Sequence, residues 1–96
     1  MPRSRQSRYS SEYRLLLERL VALRGDESQT LVAERMGTSQ SMLSKLERGV
    51  VRMDLSDLLS YLDAIGKDPL EFITDYLHAI NWRPTRRKPA AAPRSK

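Results

Sequence analysis

The sequence has no cysteine, a single histidine and only six aromatic residues in 96. Without cysteine there is no disulfide scaffold, no thiol nucleophile and no cysteine-ligated zinc. One histidine, His78, cannot build a multi-histidine metal site, and it reads as a partly exposed residue of the last helix. No apolar run approaches the roughly 20 residues that span a bilayer. Met1 to Arg8 is basic but leads into no apolar stretch of the kind a secretory signal carries. Glu12, Glu18 and Asp63 are isolated carboxylates, and no nucleophile–base pair or glycine-rich phosphate loop is present, so an enzyme and a cofactor are not expected. A small, soluble, cytoplasmic domain is the expectation.

Positive charge is what the chain has in excess. There are 17 Lys+Arg against 12 Asp+Glu, a formal net charge of +5. The excess lies at the ends. Arg3, Arg5 and Arg8 stand in the first eight residues, and the last fourteen hold Arg83, Arg86, Arg87, Lys88, Arg94 and Lys96. Residues 9–82 carry 8 basic and 12 acidic groups, a balance of −4. The ends also lack the apolar residues that would offset the entropy of ordering them. Residues 1–9 and the Pro/Ala-rich residues 83–96 are therefore expected to be disordered basic arms, with one folded domain over 10–82. The arms either follow a polyanion or merely keep the protein in solution.

Within the folded part the apolar spacing is helical throughout, with no clean alternation of the kind a half-buried strand shows. A first helix is predicted from about Ser11, capped by Ser10 or Ser11, to Arg24, with Leu16, Leu20 and Leu23 in one stripe and Gly25 ending it. Ser28 caps a second helix that ends at Gly37, with Leu31, Val32 and Met36 inward and Ala33 small. Ser39 caps a third over Gln40–Arg48, with Met42, Leu43 and Leu46 on its buried side and Gly49 at its end. Asp54 or Ser56 caps a fourth, with Leu55, Leu58, Leu59, Leu62 and Ile65 as its core face. Asp68-Pro69 opens a fifth, since proline suits the first helical position; Phe72, Ile73, Tyr76, Leu77 and Ile80 form its apolar side. The expected fold class is a compact all-α domain of five helices.

The informative stretch runs from Ser28 to Gly49. Ala33 is small where helices cross, Gly37 permits a tight turn four residues later, and Leu43 and Leu46 pack the next helix back. This is the helix-turn-helix arrangement. Positions 40, 41, 44 and 45 share one face of the third helix, opposite Leu43 and Leu46.

Over roughly Leu16 to Phe72 the chain resembles the phage-repressor and Cro-like (XRE) helix-turn-helix regulators. Ser28-Gln29, Ala33-Glu34, Gly37-Thr38-Ser39-Gln40-Ser41 and Ser44-Lys45-Leu46-Glu47-Arg48-Gly49 match that family's pattern, and Arg52-Met53-Asp54-Leu55 with Ala64-Ile65-Gly66 looks like its short members. The resemblance implies a lambda-repressor-like fold whose partner is double-stranded operator DNA. Gln40, Ser41, Ser44 and Lys45 would read bases in the major groove. Gln29, Ser39, Arg48 and Arg52 would hold phosphates. Met42, between the faces, is assigned to the core in preference to a thymine methyl. Three departures stand out. Val21 occupies the slot of an arginine that in the family pairs with the equivalent of Glu47, leaving Arg24 or Arg19 to substitute. Val50-Val51 stands where charges are usual, and Thr30 replaces a glutamate.

Tyr76, Leu77, Ile80 and Trp82 exceed what so small a core needs. They either close the core or form a dimer interface, and the excess favours a homodimer. Residues 53–82 carry six acids and one lysine, a charge unsuited to a DNA surface. A regulator of transcription that acts as a repressor is the leading expectation. The runner-up is an antitoxin-type protein of the same fold that holds a partner protein through its last helix.

Overall fold

The computed structural model describes the backbone over residues 3–83 and the side chains over residues 11–83. Five helices follow one another: α1 (Arg3–Arg24), α2 (Gln29–Met36), α3 (Gln40–Arg48), α4 (Leu55–Ala64) and α5 (Pro69–Ala79). No strand occurs among the described residues.

Local signals set four of the helix starts. The Ser28 and Ser39 hydroxyls accept from the backbone N–H of Leu31 and Met42, each at 3.0 Å. Asp54 and Asp57 close a reciprocal capping box at the start of α4. Asp68 caps α5, with Pro69 in its first turn. Between α2 and α3 the chain reverses through Gly37, whose φ of 79° lies in the left-handed region. There the N–H of Gly37 bonds to Glu34 O and that of Thr38 to Ala33 O, so the last carbonyls of α2 are satisfied before α3 begins.

The start of α1 differs from expectation. The helix begins at Arg3, not at Ser11, and so runs through most of the segment assigned to an N-terminal arm. No glycine or proline interrupts residues 3–24, so nothing in the chain forces a break at Ser10 or Ser11. The expected tail beyond Arg83 lies outside the described residues.

The core is formed by Leu17 and Leu20 of α1, Val32 and Ala33 of α2, Leu43 and Leu46 of α3, Met53, then Leu58, Tyr61, Leu62 and Ala64 of α4, and Phe72 of α5. Helix α2 lies against both α3 and α4, α1 against α3, and α4 against α5. Several expected core positions are outside it. Leu23, Leu31, Met42, Leu55 and Leu59 are exposed, Leu55 most of these at 65%. The reason is local: Leu55 stands at the first position of α4, Leu59 falls about 100° around the helix from the buried Leu58, and α2 turns only Val32 and Ala33 fully inward. Tyr61, absent from the expected core, is fully buried instead.

Candidate nucleic-acid interface

Helix α3 is sharply two-sided. Leu43 and Leu46 are 0% and 3% exposed, while Gln40, Ser41, Lys45 and Arg48 are exposed and Ser44 is half-buried. The structure thus brings the four residues expected to read bases onto one outer strip. Arg48 belongs to it as well, since its Nε donates to Ser44 Oγ at 3.2 Å, one helical turn back. That bond leaves the terminal guanidinium nitrogens of Arg48 available.

Ser39 stands exposed at the head of this strip. Its hydroxyl caps α3, and the first N–H groups of the helix carry the partial positive charge that favours anions. Beyond the helix, the exposed Arg52 lies with its guanidinium carbon 4.4 Å from the centre of the Tyr13 ring. The Tyr13 hydroxyl accepts from the backbone N–H of Met53 at 2.8 Å. Helix α1 therefore pins the segment that carries Arg52 by two contacts on one tyrosine.

Behind the strip lies a connected set of polar side chains. Arg24 Nε donates to Glu47 Oε2 at 2.7 Å and its Nη2 to Glu47 Oε1 at 3.0 Å, a two-pronged ion pair. Arg24 Nη1 also donates to the Glu27 carbonyl at 2.7 Å, which ties down the loop before α2. The Tyr61 hydroxyl is 2.6 Å from Glu47 Oε2. Gln29 Nε2 donates to Glu47 Oε1 at 2.7 Å, and Gln40 Nε2 donates to Gln29 Oε1 at 2.7 Å. The Glu47 side chain is 5% exposed. Burial alone would push its pKa up; hydrogen bonds from Arg24, Tyr61 and Gln29, with the charge of Arg24, outweigh burial and hold it below the ordinary value. The carboxylate is ionised and its charge is matched inside the protein. Burial and the adjacent Glu47 carboxylate drive the Tyr61 pKa far upward, so its hydroxyl keeps its proton.

Arg24, then, takes the place of the arginine missing at Val21, from the last position of α1. Arg19 does not pair with Glu47; it lines a cavity of about 400 Å³ between α1 and α5. Sequence reasoning missed Tyr61. The available signal was a tyrosine set at helical spacing among leucines, because a buried hydroxyl requires a partner. Charge on the outer strip is simplified by these pairings. Arg35 is bonded to Glu27 Oε1 at 2.9 Å and to the Ala64 carbonyl at 3.0 Å. Of the basic residues in 28–52, this leaves Lys45, Arg48 and Arg52 facing outward with no acidic partner among the described ion pairs.

The residues expected at a dimer interface are divided. Tyr76 is half-buried, its hydroxyl donates to the Glu12 carbonyl at 2.8 Å, and its ring lies parallel to Phe72 with centroids 6.4 Å apart. It closes the core between α1 and α5. Leu77 and Ile80 are half-buried, and Trp82 is 57% exposed.

Two short helices joined by a glycine turn, the second polar outside and apolar inside, define a helix-turn-helix DNA-binding domain. Residues 28–72 match the helix-turn-helix family model, which supports an XRE-type helix-turn-helix domain over these residues. The family is one of DNA-binding regulators, and DNA is the partner the domain implies. The match spans α2 to the opening of α5, so Arg24 comes from outside it. No curated protein and no solved structure matches the chain. No helix among the described residues is long and apolar enough to cross a membrane.

Proposed function

We propose that this protein is a sequence-specific regulator of transcription that binds double-stranded DNA as a homodimer and represses by occupying its operator. Helix α3 enters the major groove with Gln40, Ser41, Ser44 and Lys45 toward base edges. Gln29, Ser39, Arg48 and Arg52 hold phosphates on either side and set the register without reading sequence. The observation that carries this reading is the exposure of Gln40, Ser41 and Lys45 on a helix whose other side buries Leu43 and Leu46. A surface that only needed to be wet would not need a chemically mixed set of amide, hydroxyl and ammonium groups at one end and cations at the other. The protein acts in the cytoplasm, at the nucleoid, without a cofactor.

A twofold dimer sets two α3 helices about 34 Å apart and reads a near-palindromic site. Trp82, with Leu77 and Ile80 beside it, supports an interface at the end of α5. The same exposed tryptophan favours a second reading, in which that end holds a different protein, as an antitoxin does. Light scattering on the purified protein tests the first: twice 11.1 kDa supports the homodimer and 11.1 kDa at micromolar concentration counts against it, whereas co-purification of an untagged partner protein would support the second reading. In vitro selection of bound duplexes tests the DNA-reading role itself, with enrichment of one recurring motif expected and none contradicting it.

A further inference from the structure

The polar side chains behind α3 run from the inside of the domain to its outer face, and each link has a fixed direction. Tyr61 is 0% exposed and donates its one hydroxyl hydrogen to Glu47 Oε2 at 2.6 Å; the Leu20 carbonyl, at 3.2 Å, is the weaker acceptor for the same hydrogen. Glu47 is an ionised carboxylate and only accepts. Gln29 must therefore turn its Nε2 toward Glu47, which leaves its Oε1 facing Gln40. Gln40 in turn must present its own Nε2 to Gln29. The exposed Gln40 amide is left with its Oε1 and one N–H hydrogen, in one orientation.

We propose that Tyr61 is a specificity-determining positioning residue: through Glu47 and Gln29 it fixes the sense of the Gln40 amide, and so the base edge that Gln40 recognises. The inference rests on the reading of α3 as the base-reading helix. An amide held this way offers an acceptor and a donor side by side, the complement of the adenine N6 donor and N7 acceptor in the major groove. Tyr61 matters because each Glu47 oxygen has two donors. Arg24 Nε and Tyr61 hold Oε2, while Arg24 Nη2 and Gln29 share Oε1. Without the Tyr61 hydroxyl, a nearly buried Oε2 is short of a donor and the carboxylate turns to recover one. Gln29 then loses its fixed acceptor, and Gln40 is free to rotate its amide. A tyrosine that only filled the core would make no distinction between base pairs.

The test is in vitro selection with the full chain, run on the wild type, Gln40→Ala, Tyr61→Phe and Ile73→Val, each with its thermal midpoint. Ile73→Val trims the core in α5, away from these hydrogen bonds. Gln40→Ala identifies the base pair that Gln40 reads. At that pair the wild type is expected to prefer its base by roughly 5- to 150-fold, the range of one bidentate contact. Tyr61→Phe is expected to lower that preference at least about threefold, leave the other positions as they are, and differ in this from Ile73→Val. Unchanged preferences in Tyr61→Phe, or a weakening spread evenly over the site, would overturn the proposal while leaving the DNA-reading role intact. Should Tyr61→Phe not fold, Gln29→Ala breaks the same connection at a half-exposed link and is expected to relax the same base pair; no change there overturns the proposal. A folded wild type that enriches no motif overturns the DNA-reading role and this inference together.

Discussion

Glu47 shows how much one residue organises here. It sits on the inner edge of α3, receives Arg24 from α1, Gln29 from α2 and Tyr61 from α4, and keeps its charge in a nearly dry position. Its pKa is depressed in the folded protein, so its stabilisation is present above the ordinary carboxylate value and is lost as pH falls through the lower folded value. Glu47→Gln is accordingly expected to cost about 1.5–3 kcal/mol near neutrality, the worth of hydrogen bonds to a charged group. Urea unfolding at neutral and strongly acidic pH checks the sign: the gap between wild type and variant should close on acidification, and a constant gap would contradict the assignment. On the outer face, Lys45→Ala is expected to relax preference at one base pair, while Arg52→Ala lowers affinity evenly over sequences. Competition binding with single-base variants of the selected site separates the two. The outer strip of α3 was readable from spacing alone, because residues 40, 41, 44 and 45 fall opposite two leucines. Of the inner network only the pairing of Glu47 with Arg24 was foreseen, with Arg19 as the alternative. Arg24 lies at the end of α1, where a helical pattern says nothing about direction, and Tyr61 is hidden in the same period as Leu58 and Leu62.

At the scale of elements, capping chemistry explains where the helices start. Ser28, Ser39, Asp54 and Asp68 each accept from a backbone N–H of the first turn, and these are the starts that the sequence made visible. The start of α1 was misplaced because serines at 10 and 11 look like caps, yet nothing nearby breaks the helix. The exposed leucines were misplaced for a related reason. Periodicity finds an apolar residue on a helix but not the width of the neighbour that covers it, and α2 is only 8 residues long. Ser28→Ala and Ser39→Ala are each expected to lose about 1 kcal/mol of stability, as N-caps do. Only Ser39→Ala should also weaken DNA binding beyond what the lost stability explains, since Ser39 opens the helix proposed to meet the duplex. Equal DNA affinity for the two variants, measured by titration at a temperature where both are folded, would count against a phosphate at the head of α3.

For the whole molecule, the decisive quantity is how charge is distributed. A net +5 conceals a body of −4 over residues 9–82, within which the segment 28–52 is the basic part, with four basic and two acidic groups. One of those two acids, Glu47, is neutralised internally by Arg24, which sharpens the contrast between the α3 face and the acidic residues that follow it. Binding through about 6–10 phosphate contacts should weaken by roughly 10³–10⁵ between 50 and 200 mM salt. A dimer held at the end of α5 predicts that Trp82→Ala lowers affinity for a palindromic site and the mass by light scattering, while a single half-site is bound as before. The proposed association has only an excess of apolar residues behind it in the sequence, since a surface facing a second copy carries no signature of its own in one chain. The most direct test of base reading by α3 is selection of bound duplexes by the purified protein and by its Gln40→Ala, Lys45→Ala double variant. One recurring motif is expected for the wild type, with specific positions flattened in the double variant. No recurring motif, or the same motif with unchanged preferences in both proteins, would contradict it.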